Sequence, residues 1–239
     1  AALIRMGPEL FMDYLLLGVV LLCTTINMVA LKQFTLKNTH PAAPAIFNVE
    51  MAATMLIGFW ILNGGRYVWH LPTVLYALVF SVGITLYAQY SMQAVANGPL
   101  GITNLLLNYS LLLPALAGVL FWQEKVSVGL ILGLILLLIS LALLNARPGD
   151  TDKRFSWKWI LYVLLGFFGN GACSISQKMH QQAYPEQYRC EFMMTAMLIT
   201  MLFCLLRFIP LQKRGLAKSL RSGVQWAIVY GVGNTIVNF

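Results

Sequence analysis

Charge is scarce in this chain. Asp, Glu, Lys and Arg make up 10% of its residues, where a soluble domain carries roughly 25%. Acidic residues are the scarcer sign, 8 against 16 basic. So little charge cannot give a globule a hydrated surface, which excludes an ordinary soluble fold. Cysteine is also sparse. Cys23, Cys173, Cys190 and Cys204 show no CxxC or zinc spacing, which excludes a disulfide framework or metal knuckle. They lie in or beside apolar runs and read as small packing hydrophobes. The three histidines, His40, His70 and His180, stand alone, without HExxH, and there is no P-loop and no GxSxG. Neither enzyme chemistry nor a cofactor nor a metal is expected, and each His reads as an interfacial residue. Long basic tracts are missing too. The net charge of +8 sits in short clusters between apolar runs. That distribution suits anionic headgroups and topology control better than nucleic acid.

What the chain does have is apolar length. Hydrophobic residues are 59% of it, and mean hydropathy is +0.74. A span needs about 20 mostly apolar residues. Eight runs qualify: 14–34, 44–63, 72–95, 100–122, 126–145, 157–177, 188–209 and 224–239. Pro41 and Pro44, Asn63-Gly64-Gly65, Asn97-Gly98-Pro99 and Pro210 punctuate their ends. Runs this continuous mean helices, because lipid leaves only helices or closed barrels. The first run has no cleavage site and reads as a span. Met12 stands just before it as a plausible start, and the eighth run is expected to be cut short, with more chain following. Trp60, Trp69, Trp122, Trp157 and Trp159 fall near run ends, as an aromatic belt would place them.

The runs repeat. Residues 50–54 read EMAAT and 191–195 read EFMMT; YALVFSVGIT at 76–85 recurs as WAIVYGVGNT at 226–235. In the latter pair Ala, Val, Val, Gly and Thr recur at a constant offset of 150. The first run ends in Lys32-Gln33 and the sixth in Gln177-Lys178. Spans 1, 2 and 3 therefore correspond to spans 6, 7 and 8. Five helices form one unit, and an odd unit inserts its second copy upside down, a plan common among secondary transporters. The link at 145–158 separates the halves, 12–146 and an incomplete 157–239. Lys32, Lys37, Arg147, Lys153, Arg154, Lys158, Arg207, Lys213, Arg214, Lys218 and Arg221 share one side. Arg5, Arg66, Lys125, Lys178 and Arg189 share the other, with the N-terminus, which the positive-inside rule therefore puts outside.

Ionisable groups within spans are functional candidates. Lys32 closes the first span and Glu50 lies about two turns into the second; Lys178 and Glu191 repeat the arrangement at the opposite face. Each pair either locks a hairpin or guards one mouth of a cavity, where Glu50 or Glu191 would carry a coupling proton. Asn27, Asn48, Gln89, Asn108, Asn170, Ser174, Gln177 and Asn234 are the substrate-pathway candidates. Singly they serve as interhelical hydrogen-bonding groups; as a set they would line a wet compartment. Gln93, Asn104 and Ser176 are further polar residues within spans. Pro114, inside the fourth span, is either a hinge or a packing kink. GLILG at 129–133 is a GxxxG, a candidate homodimer contact that intramolecular packing uses equally.

The stretch GPLGITNLLLNYSLLLPALAGVLFWQEKVSVGLILGLILLLISLALL, residues 98–144, resembles the EamA-type domain of the drug/metabolite transporter superfamily. Pro114, Glu124 and Gly133 match that domain's proline helix, its turn carrying Glu, and its glycine-containing last helix. With the repeat, the likeness extends over about residues 12–239. It implies an all-α membrane protein of two inverted five-helix units and transport of small metabolites, often export of amino acids or related compounds. Family members usually keep both termini in the cytoplasm, whereas the basic residues here point the other way. Glu124 reads as a turn residue rather than a substrate contact.

The expectation is a secondary transporter, an exporter of a small polar or amphipathic metabolite. It would sit multi-pass in the cell (plasma or inner) membrane and work by alternating access. Its partners would be that solute, the bilayer and a coupling proton. A translocator of a lipid-linked sugar or nucleotide sugar is the first alternative, and a lateral opening onto lipid would favour it. A non-transporting receptor or scaffold is the second.

Overall fold

A computed structural model of the chain describes residues 8–37, 43–123, 128–145, 156–185, 187–208 and 216–238. Among these every regular element is helical. The helices are α1 (Pro8–Lys37), α2 (Ala43–Leu62), α3 (Leu71–Asn97), α4 (Leu100–Asn108), α5 (Leu112–Trp122), α6 (Val128–Asn145), α7 (Trp157–Ala183), α8 (Arg189–Phe208) and α9 (Leu216–Asn238). Among the described residues six helical stretches are long and apolar enough to cross a membrane: Tyr14–Leu31, Ala45–Leu62, Leu71–Val95, Leu105–Trp122, Trp157–Ala183 and Arg189–Leu206. The chain is thus an all-helical, multi-pass membrane protein. Its outward apolar side chains fit that solvent: Leu22, Ile57, Ile61, Leu120 and Phe121 are all exposed.

Each apolar run lies on a helix, with one interruption. The run at 100–122 breaks into α4 and α5 at a 3-10 turn, Tyr109–Leu111. Pro114 is the third residue of α5, where a missing N–H is tolerated. The break thus falls just before the proline, at the carbonyls its ring would crowd. After α2, Gly64 and Gly65 take φ of +63° and +72°, a conformation that suits residues without a Cβ.

The described residues form two compact units, one holding α1, α2, α8 and α9, the other α3 to α7. Each unit therefore draws helices from both repeat stretches. In the first unit, α1 and α9 are antiparallel. Asn27 meets Asn234, and Phe34 shares an apolar cluster with Ala227. α2 and α9 run parallel, with Phe47 on Tyr230 and Gly58 on Thr235. The start of α8 lies at the end of α2, where Asn63 bonds Glu191. In the second unit α3 and α7 are antiparallel, from Thr73 beside His180 to Tyr90 beside Tyr162.

Small residues set the closest approaches. A Cβ on Gly83 would lie 2.7 Å from the Gly169 carbonyl oxygen and 2.8 Å from the Cys173 sulfur. A Cβ on Gly233 would collide with the Asn27 side chain. Gly83 and Gly233 are 150 residues apart, and their neighbours Asn27 and Cys173 are 146 apart, as are Lys32 and Lys178. Burial follows the same correspondence: Ala77 and Ala227 are fully buried, while Val79, Val229, Val82 and Val232 face outward. Thr85 and Thr235 each donate to the carbonyl four residues back, at Ser81 and Gly231.

Candidate functional site

The seam between α1, α2 and α9 gathers several polar side chains. Asn27, only 4% exposed, donates through Nδ2 to Asn234 Oδ1 at 3.4 Å. Asn234 turns its own amide toward the Met51 sulfur at 3.9 Å and hydrogen-bonds with the Tyr230 hydroxyl. The Asn27 Oδ1 atom is buried without a hydrogen-bond partner, in the space that the absent Cβ of Gly233 leaves open. Phe34, Phe47 and Tyr230 form an aromatic run beside it, with ring centroids 4.7 and 5.1 Å apart. The helical period brings Glu50 to the same side of α2 as Thr54, one turn away, and Thr54 faces Gly231 of α9. Both carboxyl oxygens of Glu50 are buried and accept no hydrogen bond. A carboxylate in this condition costs free energy that the fold does not recover locally.

Glu191 differs. It is buried in the first turn of α8, and its Oε1 accepts from Asn63 Nδ2 at 3.0 Å. The same amide donates to the Arg66 carbonyl at 2.8 Å. Nearby, the Tyr67 hydroxyl bonds Thr195 at 2.8 Å and His70 stacks on Tyr188. Asn48 lies half-buried on α2. Lys32 belongs to α1, but its side chain is outside the described residues, as are Glu124 and His40.

The remaining candidates belong to the second unit. Asn170 on α7 donates to Ser110 Oγ at 2.6 Å, and Ser110 donates to the Leu107 carbonyl. This ties α7 to the turn between α4 and α5. Ser174 bonds back to the Asn170 carbonyl within its own helix. Gln89 and Gln177 are half-buried on α3 and α7, and Asn108 is exposed at the end of α4. Lys178 lies over the Trp122 ring, 5.2 Å from its centroid. Gly133 faces open space.

Residues outside the substrate-pathway candidates complete this unit. Ser176 donates to the Tyr76 carbonyl at 2.7 Å, and His180 bonds Thr73 at 3.1 Å. His180 is fully buried, against the interfacial place expected of it, because α7 runs on past its apolar stretch and packs on α3 there. Trp159 is likewise buried rather than belted, donating through Nε1 to Thr103 Oγ1 at 2.9 Å. None of the four cysteines is in a disulfide, and three of them are buried. Between α3 and α7 lies an apolar groove of 410 Å³, bordered by Leu78, Val82, Gly83, Leu86, Leu165 and Phe168 among others.

No protein-family model matches the chain, and no curated protein matches it.

Proposed function

We propose that the chain is a secondary transporter built as an inverted repeat, with α1–α3 and α7–α9 as its two copies. The observation that carries this reading is the repeated helix crossing. The α1–α9 and α3–α7 seams exchange under the correspondence seen in the sequence, and Gly83 on Cys173 matches Gly233 on Asn27. Helix directions support it. An even number of crossings lies between the members of each antiparallel pair and an odd number between α2 and α9, provided α4 and α5 together cross once and α6 once. Inverted repeats bind their cargo where the copies meet, near the bilayer midplane.

The α1–α2–α9 seam, where the copies meet within one compact unit, is the substrate-facing region of this carrier. Asn27 and Asn234 present amide groups there, and Tyr230 and Phe47 an aromatic wall. Glu50 is the coupling group: a carboxyl without a donor is free to exchange a proton during transport. The cargo is a small polar or amphipathic metabolite, in keeping with the likeness of residues 98–144 to EamA-type transporters. The test is reconstitution into liposomes, with uptake of candidate amino acids and related solutes followed under an imposed pH gradient. Solute movement that follows the gradient supports the reading; gradient-independent uptake removes the role of Glu50. A second reading, a translocator of lipid-linked cargo, is favoured by the apolar groove between α3 and α7. Trans-bilayer movement of a lipid-linked sugar in the same liposomes would select it.

A further inference from the structure

We propose that residues 63–70, the connection between α2 and α3, form a gate strap that is closed over the start of α8 in this structure. The inference rests on the transporter reading and adds a moving part to it.

The connection is held by its side chains rather than by regular structure. Gly64 and Gly65 turn the chain with positive φ, and residues 66–70 adopt neither helix nor strand. Three contacts then fasten it to the segment 188–195. Asn63 donates to Glu191, the Tyr67 hydroxyl bonds Thr195, and His70 stacks on Tyr188 with rings 4.5 Å apart and 3° from parallel. They reach the residue before α8 and its first two turns. A plain linker has no need to secure a buried carboxylate, yet among the described residues the one hydrogen bond to the Glu191 carboxylate comes from Asn63 at the strap's root. Burial of that charge is compensated while the strap is down and uncompensated when it lifts. Glu50, the repeat equivalent of Glu191, already stands without a donor. One satisfied and one unsatisfied carboxylate are what a carrier closed at one end and not the other would hold. Hydrogen bonds and ring contacts of these kinds are weak enough to break and reform within a transport cycle.

Cys190 provides a native reporter, because it sits between Arg189 and Glu191 and is 9% exposed. The full chain in nanodiscs is treated with a water-soluble maleimide. The Asn63→Leu/Tyr67→Phe double variant is expected to label Cys190 at least tenfold faster than the parent, with Cys173 and Cys204 unchanged. An unchanged Cys190 rate overturns the strap. A second experiment places cysteines at 67 and 195 in a chain whose native cysteines are alanine, and joins them with a cleavable thiosulfonate linker. Solute uptake should fall at least tenfold and return on reduction; full uptake by the linked protein overturns the gate. If the unlinked parent moves no solute, the transporter reading fails, and the labelling rates still decide whether the strap opens.

Discussion

Glu50 and Glu191 begin matching pentapeptides, each four residues ahead of a threonine on the same helical face. Their surroundings have diverged. Thr54 donates back into its own helix at the Glu50 carbonyl, whereas Thr195 bonds Tyr67 from a different segment. Glu191 accepts from Asn63, and Glu50 accepts from nothing. The position of a carboxyl is set by the helix that carries it, but its compensation is set by the connection that happens to reach it. Under the transporter proposal, Glu191 is a fastening and Glu50 the candidate for proton exchange.

Neutralising Glu50 tests this contrast most severely. Glu50→Gln keeps the size and removes the charge, so gradient-driven accumulation in liposomes should drop at least tenfold with folding intact. Undiminished pH-dependent uptake would erase the distinction. Next comes Asn63→Leu, which strands the Glu191 carboxylate. Removing a hydrogen bond to a charged group costs about 1.5–3 kcal/mol, read as a lower melting temperature in mild detergent. In a Glu191→Leu background the same substitution should cost less, because only the bond from Asn63 to the Arg66 carbonyl is then lost, and the double-mutant cycle measures the coupling. Glu50→Leu should act in the opposite sense and raise stability by about 1–2 kcal/mol, since it removes a buried polar group that has no partner. A fall in stability would mean that Glu50 is held by something after all. The smallest effect belongs to the Asn27–Asn234 bond. Interhelical hydrogen bonds in membrane proteins average about 0.6 kcal/mol, so Asn234→Leu should shift the melt only slightly while altering transport.

Much of the helical plan was legible because lipid demands long apolar runs. Leu71–Asn97 and Arg189–Phe208 lie close to the expected 72–95 and 188–209. The errors have one cause: hydropathy marks depth in the bilayer and not the ends of helices. α7 continues through Lys178, His180 and Gln182, and α9 begins as early as Leu216, ahead of Lys218 and Arg221. Polar helix formers extend both beyond their apolar stretches. The candidate site was legible by residue type only. Asn27 and Asn234 stood out as polar groups in apolar runs, but their partnership depends on how α1 and α9 cross. Asn63 read as punctuation at the end of a span, and nothing local marks it as the donor to a carboxylate 128 residues away.

The pairing of α1 and α2 with α8 and α9 has a consequence for biosynthesis. Apart from Phe34 against Phe47, α1 packs on α9, and α2 packs on α8 and α9. A ribosome adding about 5–20 residues per second needs about 10–40 s to get from Lys37 to Leu216. Through that interval α1 and α2 wait in the bilayer without α8 and α9, kept there by their own hydrophobicity. Assembly of this half of the molecule therefore waits until α9 has been made, and a chain stalled before that point would offer Asn27 and Glu50 to the cell's quality control.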